Sequence, residues 1–344
     1  MDARTKLRRA LCAGVCAAAL SGAGAPVAAQ TPEEFYKGKT VTIMLGHPPG
    51  GSYHMYATLA ANHLKKHIPG NPNVIIEHRP GGGGVRAARQ FYANTPRDGL
   101  VIGLLPETLA HTEILQPEVG QWKMLEMNYI GNFADVGAVM MRRPNSPAKS
   151  IDQMRKTMSS VGCTGKTSQA YQTAAMMKNL GGFQFKIICG YPGSADYVLA
   201  LIRGELDMVS SAWLQWRTSH TDDIAKGTMI PVIQTGLRRN RELPDLPLMQ
   251  EVVEDATAKR VIEFISAGTS FGRALLAPPA IPADRLAALR GAFDTLVKDP
   301  AFLKDAERAK AQIDPATGAE LQRDLEAVFK APRDIVERAR VAMD

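Results

Sequence analysis

The chain is poor in cysteine, in aromatic residues and in long apolar runs. It has four cysteines in 344 residues, and Cys12 and Cys16 fall close to its start. Cys163 and Cys189 are too few for a disulfide framework, and spacing alone does not say whether they pair. Aromatic residues make up 6%, and basic and acidic side chains are interspersed with no long basic run. Nucleic acid is therefore not expected as a partner. Past the first thirty or so residues no stretch is apolar enough to span a bilayer. Internal repeats are absent. Ser194 sits in Gly193-Ser194-Ala195, not in the Gly-x-Ser-x-Gly elbow of a hydrolase. Gly165-Lys166-Thr167 matches the end of a phosphate-binding loop, but position 160 is Ser160 where that loop needs glycine. His63 and His67 have a zinc-like spacing without a third ligand, and read as the edge of a half-exposed helix. Cys163 reads as a packing residue or half of a disulfide rather than a nucleophile. No enzyme, metal or cofactor is expected.

The N-terminus is well marked. Arg4, Lys6, Arg8 and Arg9 stand against Asp2, an Ala-rich apolar run covers Ala10 to Leu20, and Val27-Ala28-Ala29 is a small-x-small site before Gln30. This reads as a secretory signal peptide over 1–29, cleaved near Ala29-Gln30, and implies the periplasm. The remaining 315 residues suffice for two lobes with separate cores. The formal charge of +7 drops to about +4 without the leader, a mild balance that suits an anionic small ligand.

Short apolar runs then alternate with helical periodicity. Val41–Leu45, Val74–Ile76 and Val101–Leu105 read as strands, with helices over Met55–Ile68 and Val85–Tyr92 between them. That βαβαβ series implies a parallel sheet flanked by helices. A second series has strands near Gly137–Met141, Ser160–Cys163, Phe185–Cys189, Asp207–Ser210 and Met229–Gln234, with helices over Ile151–Met158, Gln169–Leu180 and Asp196–Ile202. The tail is helical: Asp299-Pro300 offers an N-cap with proline at the first helical position, and Thr317 and Glu320 form a capping box. Open α/β sheets bind ligands outside the carboxyl ends of their strands. At those ends stand Gly50-Gly51-Ser52, Thr164 to Ser168 and Pro192-Gly193-Ser194, each followed by a helix whose free N–H groups suit a carboxylate. Trp213 and Trp216 follow a second-series strand, either to line the cleft or to pack in the core.

Several of these segments resemble one family. Phe35-Tyr-Lys-Gly-Lys-Thr-Val-Thr-Ile43, Pro48-Pro-Gly-Gly51, His78-Arg-Pro-Gly-Gly82 and Pro96-Arg-Asp-Gly99 resemble successive signatures of the extracytoplasmic receptors of tripartite tricarboxylate transporters, the Bug proteins. So do Val161-Gly-Cys-Thr-Gly-Lys-Thr-Ser168, Tyr191-Pro-Gly-Ser194, Gly204-Glu-Leu-Asp207, Arg241-Glu-Leu-Pro-Asp-Leu-Pro247 and Leu276-Ala-Pro-Pro-Ala-Ile-Pro282. The resemblance covers nearly all of the chain after the leader. It implies a two-lobed type II periplasmic-binding-protein fold, each lobe a mostly parallel sheet flanked by helices, with the ligand cleft between lobes. It further implies a monomer that captures a small carboxylate, chiefly through main-chain amides and water, and delivers it to a membrane permease. A periplasmic sensor using the same trap is the alternative, and an exported hydrolase is less expected.

With that fold, lobe I is expected over 30–132 and 264–344 and lobe II over 133–263. The resemblance implies a ligand site formed by Gly50, Gly51 and Ser52 from one lobe and by Thr164, Gly165, Lys166, Thr167, Ser168, Tyr191, Gly193, Ser194 and Asp196 from the other. Trp213 is a further candidate. Three positions depart from the family. His54 stands where an Asp is common, which argues against an amino-acid ligand. Pro192 stands where a Lys is common, and Lys166 is a candidate to replace that charge. Arg273 is a candidate to hold a carboxylate bidentately.

Overall fold

The computed structural model describes residues 30–344, so the expected leader lies outside the described residues. After the short helix α1 (Pro32–Tyr36), the chain lays down β1 (Thr40–Leu45), α2 (Gly51–Leu64), β2 (Asn73–His78), α3 (Val85–Asn94), β3 (Val101–Leu104), α4 (Leu109–Leu115) and β4 (Asn128–Asn132). It then builds β5 (Ala138–Arg142), α5 (Ile151–Met154), β6 (Ser159–Cys163), α6 (Gln169–Asn179), β7 (Phe185–Cys189), α7 (Ser194–Ile202), β8 (Met208–Ala212), α8 (Trp213–Ser219), α9 (Thr221–Ala225), β9 (Ile230–Thr235) and α10 (Ala256–Ser266). It returns through β10 (Ala274–Ala277), α11 (Ala283–Leu296), α12 (Pro300–Arg308), β11 (Ala316–Thr317), α13 (Gly318–Phe329) and α14 (Arg333–Met343).

The strands form two sheets, ordered β11-β4-β10-β3-β1-β2 and β7-β6-β8-β5-β9. The expected two-lobed α/β architecture is present: both sheets are mixed, with four strands of each running one way and β10 and β11, or β5, running against them. β1, β2 and β3 are mutually parallel, as are β6, β7 and β8. The strands by which the chain enters each sheet from the other run the opposite way: β10 is antiparallel to β3 and β4, and β5 to β8 and β9. The edge strand β11 is also antiparallel to β4.

The crossing segments bond to each other. Phe133 N–H donates to Arg273 O (3.2 Å), Arg273 N–H to Ala134 O (3.2 Å) and Val136 N–H to Thr269 O (3.1 Å). Gly272 allows that approach, because a Cβ there would lie 2.0 Å from Ala134 O. The helical tail spreads over both halves. α11 and α12 bury Phe293 and Phe302 beside Phe133. α14 meets α6 through Tyr171 Oη on Met343 O (2.8 Å) and meets α4 through Arg340 on Leu115 O (3.3 Å). The expected caps are in place. Asp299 accepts from Ala301 N–H with Pro300 following, and Thr317 and Glu320 close a capping box. The zinc-like histidines tie α2 to the α12 region: His63 meets Asp305 at 2.9 Å and His67 meets Asp299 at 3.0 Å. Among the described residues no cluster of metal-binding side chains occurs, and no helix is long and apolar enough to cross a membrane.

Candidate functional site

The carboxyl ends of the parallel strands from both sheets converge on one partly open cavity of about 60 Å³. From β1 come His47, Ser52 and Tyr53; from the turn after β2, Gly83; from β3, Glu107 and Thr108. The second sheet supplies Thr164, Ser168 and Gln169 after β6, Ser194 after β7 and Ser211 at the end of β8. Val136 and Arg273 come from the crossings. One water needs about 10–15 Å³ by this measure, so the space holds a handful of non-hydrogen atoms. Hydroxyls dominate its wall. Three helices begin at it. α2 and α7 have Gly50 and Gly193 as N-caps without side-chain bonds, so their first N–H groups are open. Ser168 caps α6, accepting from Tyr171 N–H.

One charged pair lies inside. Arg273 is 3% exposed and Glu107 8%. Arg273 Nη1 lies 3.4 Å from Glu107 Oε2, Nη2 donates to Ser52 Oγ (2.6 Å) and Nη1 to Gly272 O (2.9 Å). The guanidinium also stacks 3.8 Å from the centre of the Tyr53 ring. Tyr53 Oη donates to Glu107 Oε2. Burial, then the Glu107 charge, raises the Tyr53 phenol well above its usual range. His47 stacks on the other face of the group, 4.1 Å from Tyr53 at 12°. Burial, then the Arg273 charge, lowers its pKa to about 3, so it is a neutral imidazole.

The sequence candidates divide. Ser52, Thr164, Ser168, Ser194 and Arg273 line the cavity. Arg273, expected to take a ligand's carboxylate, already has Glu107 as its partner. Gly51, Gly165, Thr167 and Gly193 instead close the two halves on each other. A Cβ on Gly51 would lie 3.1 Å from Ser194 Oγ, one on Gly165 3.1 Å from Gly82 C, and one on Gly193 2.8 Å from Pro48 Cγ. Thr167 Oγ1 donates to Gly82 O at 3.0 Å. Gly50, with φ of 90°, serves the turn. Lys166 and Asp196 are exposed and outside the lining, so neither supplies a charge to it. His54 is outside too, its ring 5.1 Å from His78, and burial and that neighbour lower its pKa. Tyr191 packs edge-on against Tyr197, 6.3 Å away. Trp213 bonds Glu242 (2.5 Å) beside a separate groove, while Trp216 is buried and donates to Val139 O (2.9 Å). Glu107, His47 and Gln169 were not among the sequence candidates. Each directly follows a strand end or loop that the carboxyl-end rule covers, and Glu107 lies in Pro106-Glu107-Thr108 after β3, a turn without the glycine that marks the others.

The model for the tripartite tricarboxylate transporter family receptor matches residues 57–325. The chain belongs to that receptor family. BugT of Bordetella pertussis is 24% identical over 242 residues, spanning 68% of this chain and 71% of its own. The structure of the periplasmic binding protein BugD superposes with a TM-score of 0.70 at 20% identity, covering 89% of this chain and 98% of BugD. That of MatC from Rhodopseudomonas palustris with bound malate gives 0.67 at 16%, covering 89% and 99%. This receptor therefore shares the two-lobed architecture of periplasmic binding proteins, and the Arg273–Glu107 pair is what occupies its cleft.

Proposed function

We propose that this receptor captures a small carboxylate in the periplasm and hands it, chemically unchanged, to a membrane permease, with the lobes divided as 30–132 plus 264–344 against 133–263. The observation that carries this reading is the cavity itself: a hydroxyl-rich space onto which three helices open their N-termini. Each helix start favours an anion by about 0.3–1 kcal/mol, more where water is excluded. Because Glu107 cancels Arg273, the neutral donors Thr164, Ser194 and the helix N–H groups would do the holding. MatC, solved with malate bound, supports a carboxylate as the ligand class. Among the described residues no hydroxyl of the lining is hydrogen-bonded to a histidine, which speaks against a nucleophile and base.

The test is a thermal-shift screen of small organic acids against their amides. A ligand that binds only the folded form adds about 4.1 kcal/mol at a thousand times Kd. Acids should raise the melting temperature, amides should not, and the acid should be recovered intact. Equal shifts for acid and amide, or turnover above a heat-killed control, would remove the reading.

A further inference from the structure

The carboxylate of Glu107 is the one acidic group of the cavity wall, and its two oxygens are unequally used. Arg273 Nη1 and Tyr53 Oη both bond to Oε2, while Oε1 accepts no hydrogen bond from the described residues. The residue is 8% exposed, and its side chain lines the cavity. Oε1 is not among the side-chain atoms sealed from solvent without a partner, so it opens onto free space that a donor can enter. Across the cavity stand Thr164 and Ser194 with the starts of α6 and α7, while the Ser168 hydroxyl is taken up by Gly165 O. The space thus has two unlike ends: donors on the second-lobe side, and on the first-lobe side the unbonded Oε1 of a carboxylate paired with Arg273. An unsubstituted acid would satisfy the first end and leave Glu107 facing carbon, or facing a second anion.

We infer that Glu107 reads a hydrogen-bond donor on the ligand, so that the receptor selects small carboxylates carrying a hydroxyl or ammonium group beside the acid. This rests on the carboxylate-capture reading and narrows it. It also relocates the acidic determinant. His54 stands where an acid would welcome an amine, but His54 is outside the lining, and Glu107 supplies an acid from a different loop.

The experiment is calorimetry on the full receptor with propionate, lactate and alanine, and with succinate, malate and aspartate. In at least one series the substituted acid should bind at least about tenfold tighter than its unsubstituted parent. Glu107→Gln should cut that preference to within about threefold, most for the ammonium compound, because the amide keeps an acceptor but loses the charge. Glu107→Asp keeps the charge opposite Arg273 but draws it back by one methylene. It should also weaken the preference, and serves if the glutamine variant does not fold. Equal binding of parent and substituted acids by the native protein overturns the inference and leaves carboxylate capture standing. A preference that survives in a folded Glu107 variant does the same. Failure of all six to bind overturns the carboxylate reading, and this inference with it.

Discussion

Arg273 carries its charge at 3% exposure and is held by Glu107, Ser52, the Gly272 carbonyl and the face of Tyr53. Removing one member of such a pair leaves the other buried and uncompensated. Arg273→Met is therefore expected to destabilise by about 3–5 kcal/mol in urea denaturation, with Glu107→Leu added to it recovering much of the loss. A cost below about 1 kcal/mol for the single variant would show that the pair is not buried as described. Two histidines predict a pH response. Burial lowers His111 to about 4, against its bond to the Phe264 carbonyl, and lowers His47 to about 3. Below the unperturbed value of 6.5 the unfolded chain takes up protons that the folded form refuses. Their contribution is thus complete above 6.5 and is lost as pH falls toward the folded values. Asp135, raised to about 6 by burial and then by Asp314, acts oppositely between 3.8 and 6. Each buried histidine is displaced further from its usual value than Asp135, so the urea midpoint should be lower at about pH 4.5 than at about pH 7, and His111→Gln should flatten the dependence.

At the scale of elements, Cys163 and Cys189 end the neighbouring strands β6 and β7 and are bonded, with Cα atoms 4.5 Å apart and a sequence separation of 26. Spacing had left their pairing open. The bridge sits where the Thr164–Ser168 and Gly190–Ser194 loops begin, so it fixes two walls of the cleft at once. Closing a loop of that length is expected to stabilise by about 3–4 kcal/mol. The Cys163→Ser, Cys189→Ser double variant should therefore unfold at lower denaturant and bind ligand more weakly, and an unchanged midpoint would count against the clamp. Most elements were legible because apolar runs and caps are local signals: β1, β3 and β6 to β9, the α12 N-cap and the α13 capping box lie where the sequence places them. β4 and β10 were not read as strands. Asn128-Tyr-Ile-Gly-Asn132 is broken by glycine and flanked by asparagine, and Ala274–Ala277 is only four residues long. Both are made strands by the partners they meet across the crossing, a tertiary effect that no local window contains. The site was half legible for a similar reason. Ser52, Thr164, Ser168 and Ser194 follow glycine-marked or polar turns, whereas Glu107 acquires its place only when Arg273 arrives from 166 residues further along.

In the whole molecule, two α/β lobes meet over a small polar space. Glycine-mediated approaches of Gly51 to Ser194, Gly165 to Gly82 and Gly193 to Pro48 narrow the rim of a cavity of about 60 Å³. The two crossing segments bond to each other at Phe133, Ala134, Val136 and Arg273, and Gly137 O also accepts from Trp213 N–H at the start of α8. Outside the cleft, the groove between α8, α9 and α12, lined by Trp213, Ile224 and Leu303, is larger and mainly apolar. It is the natural competitor for a ligand. The most direct measurement is a crystal structure of the receptor with the tightest-binding acid from the screen. The account predicts the ligand's carboxylate among Thr164, Ser194 and the N–H groups that begin α6 and α7, with Ser52 and Glu107 on its far side. A ligand seated in the Trp213–Leu303 groove, or one whose carboxylate displaces Glu107 from Arg273, would contradict it.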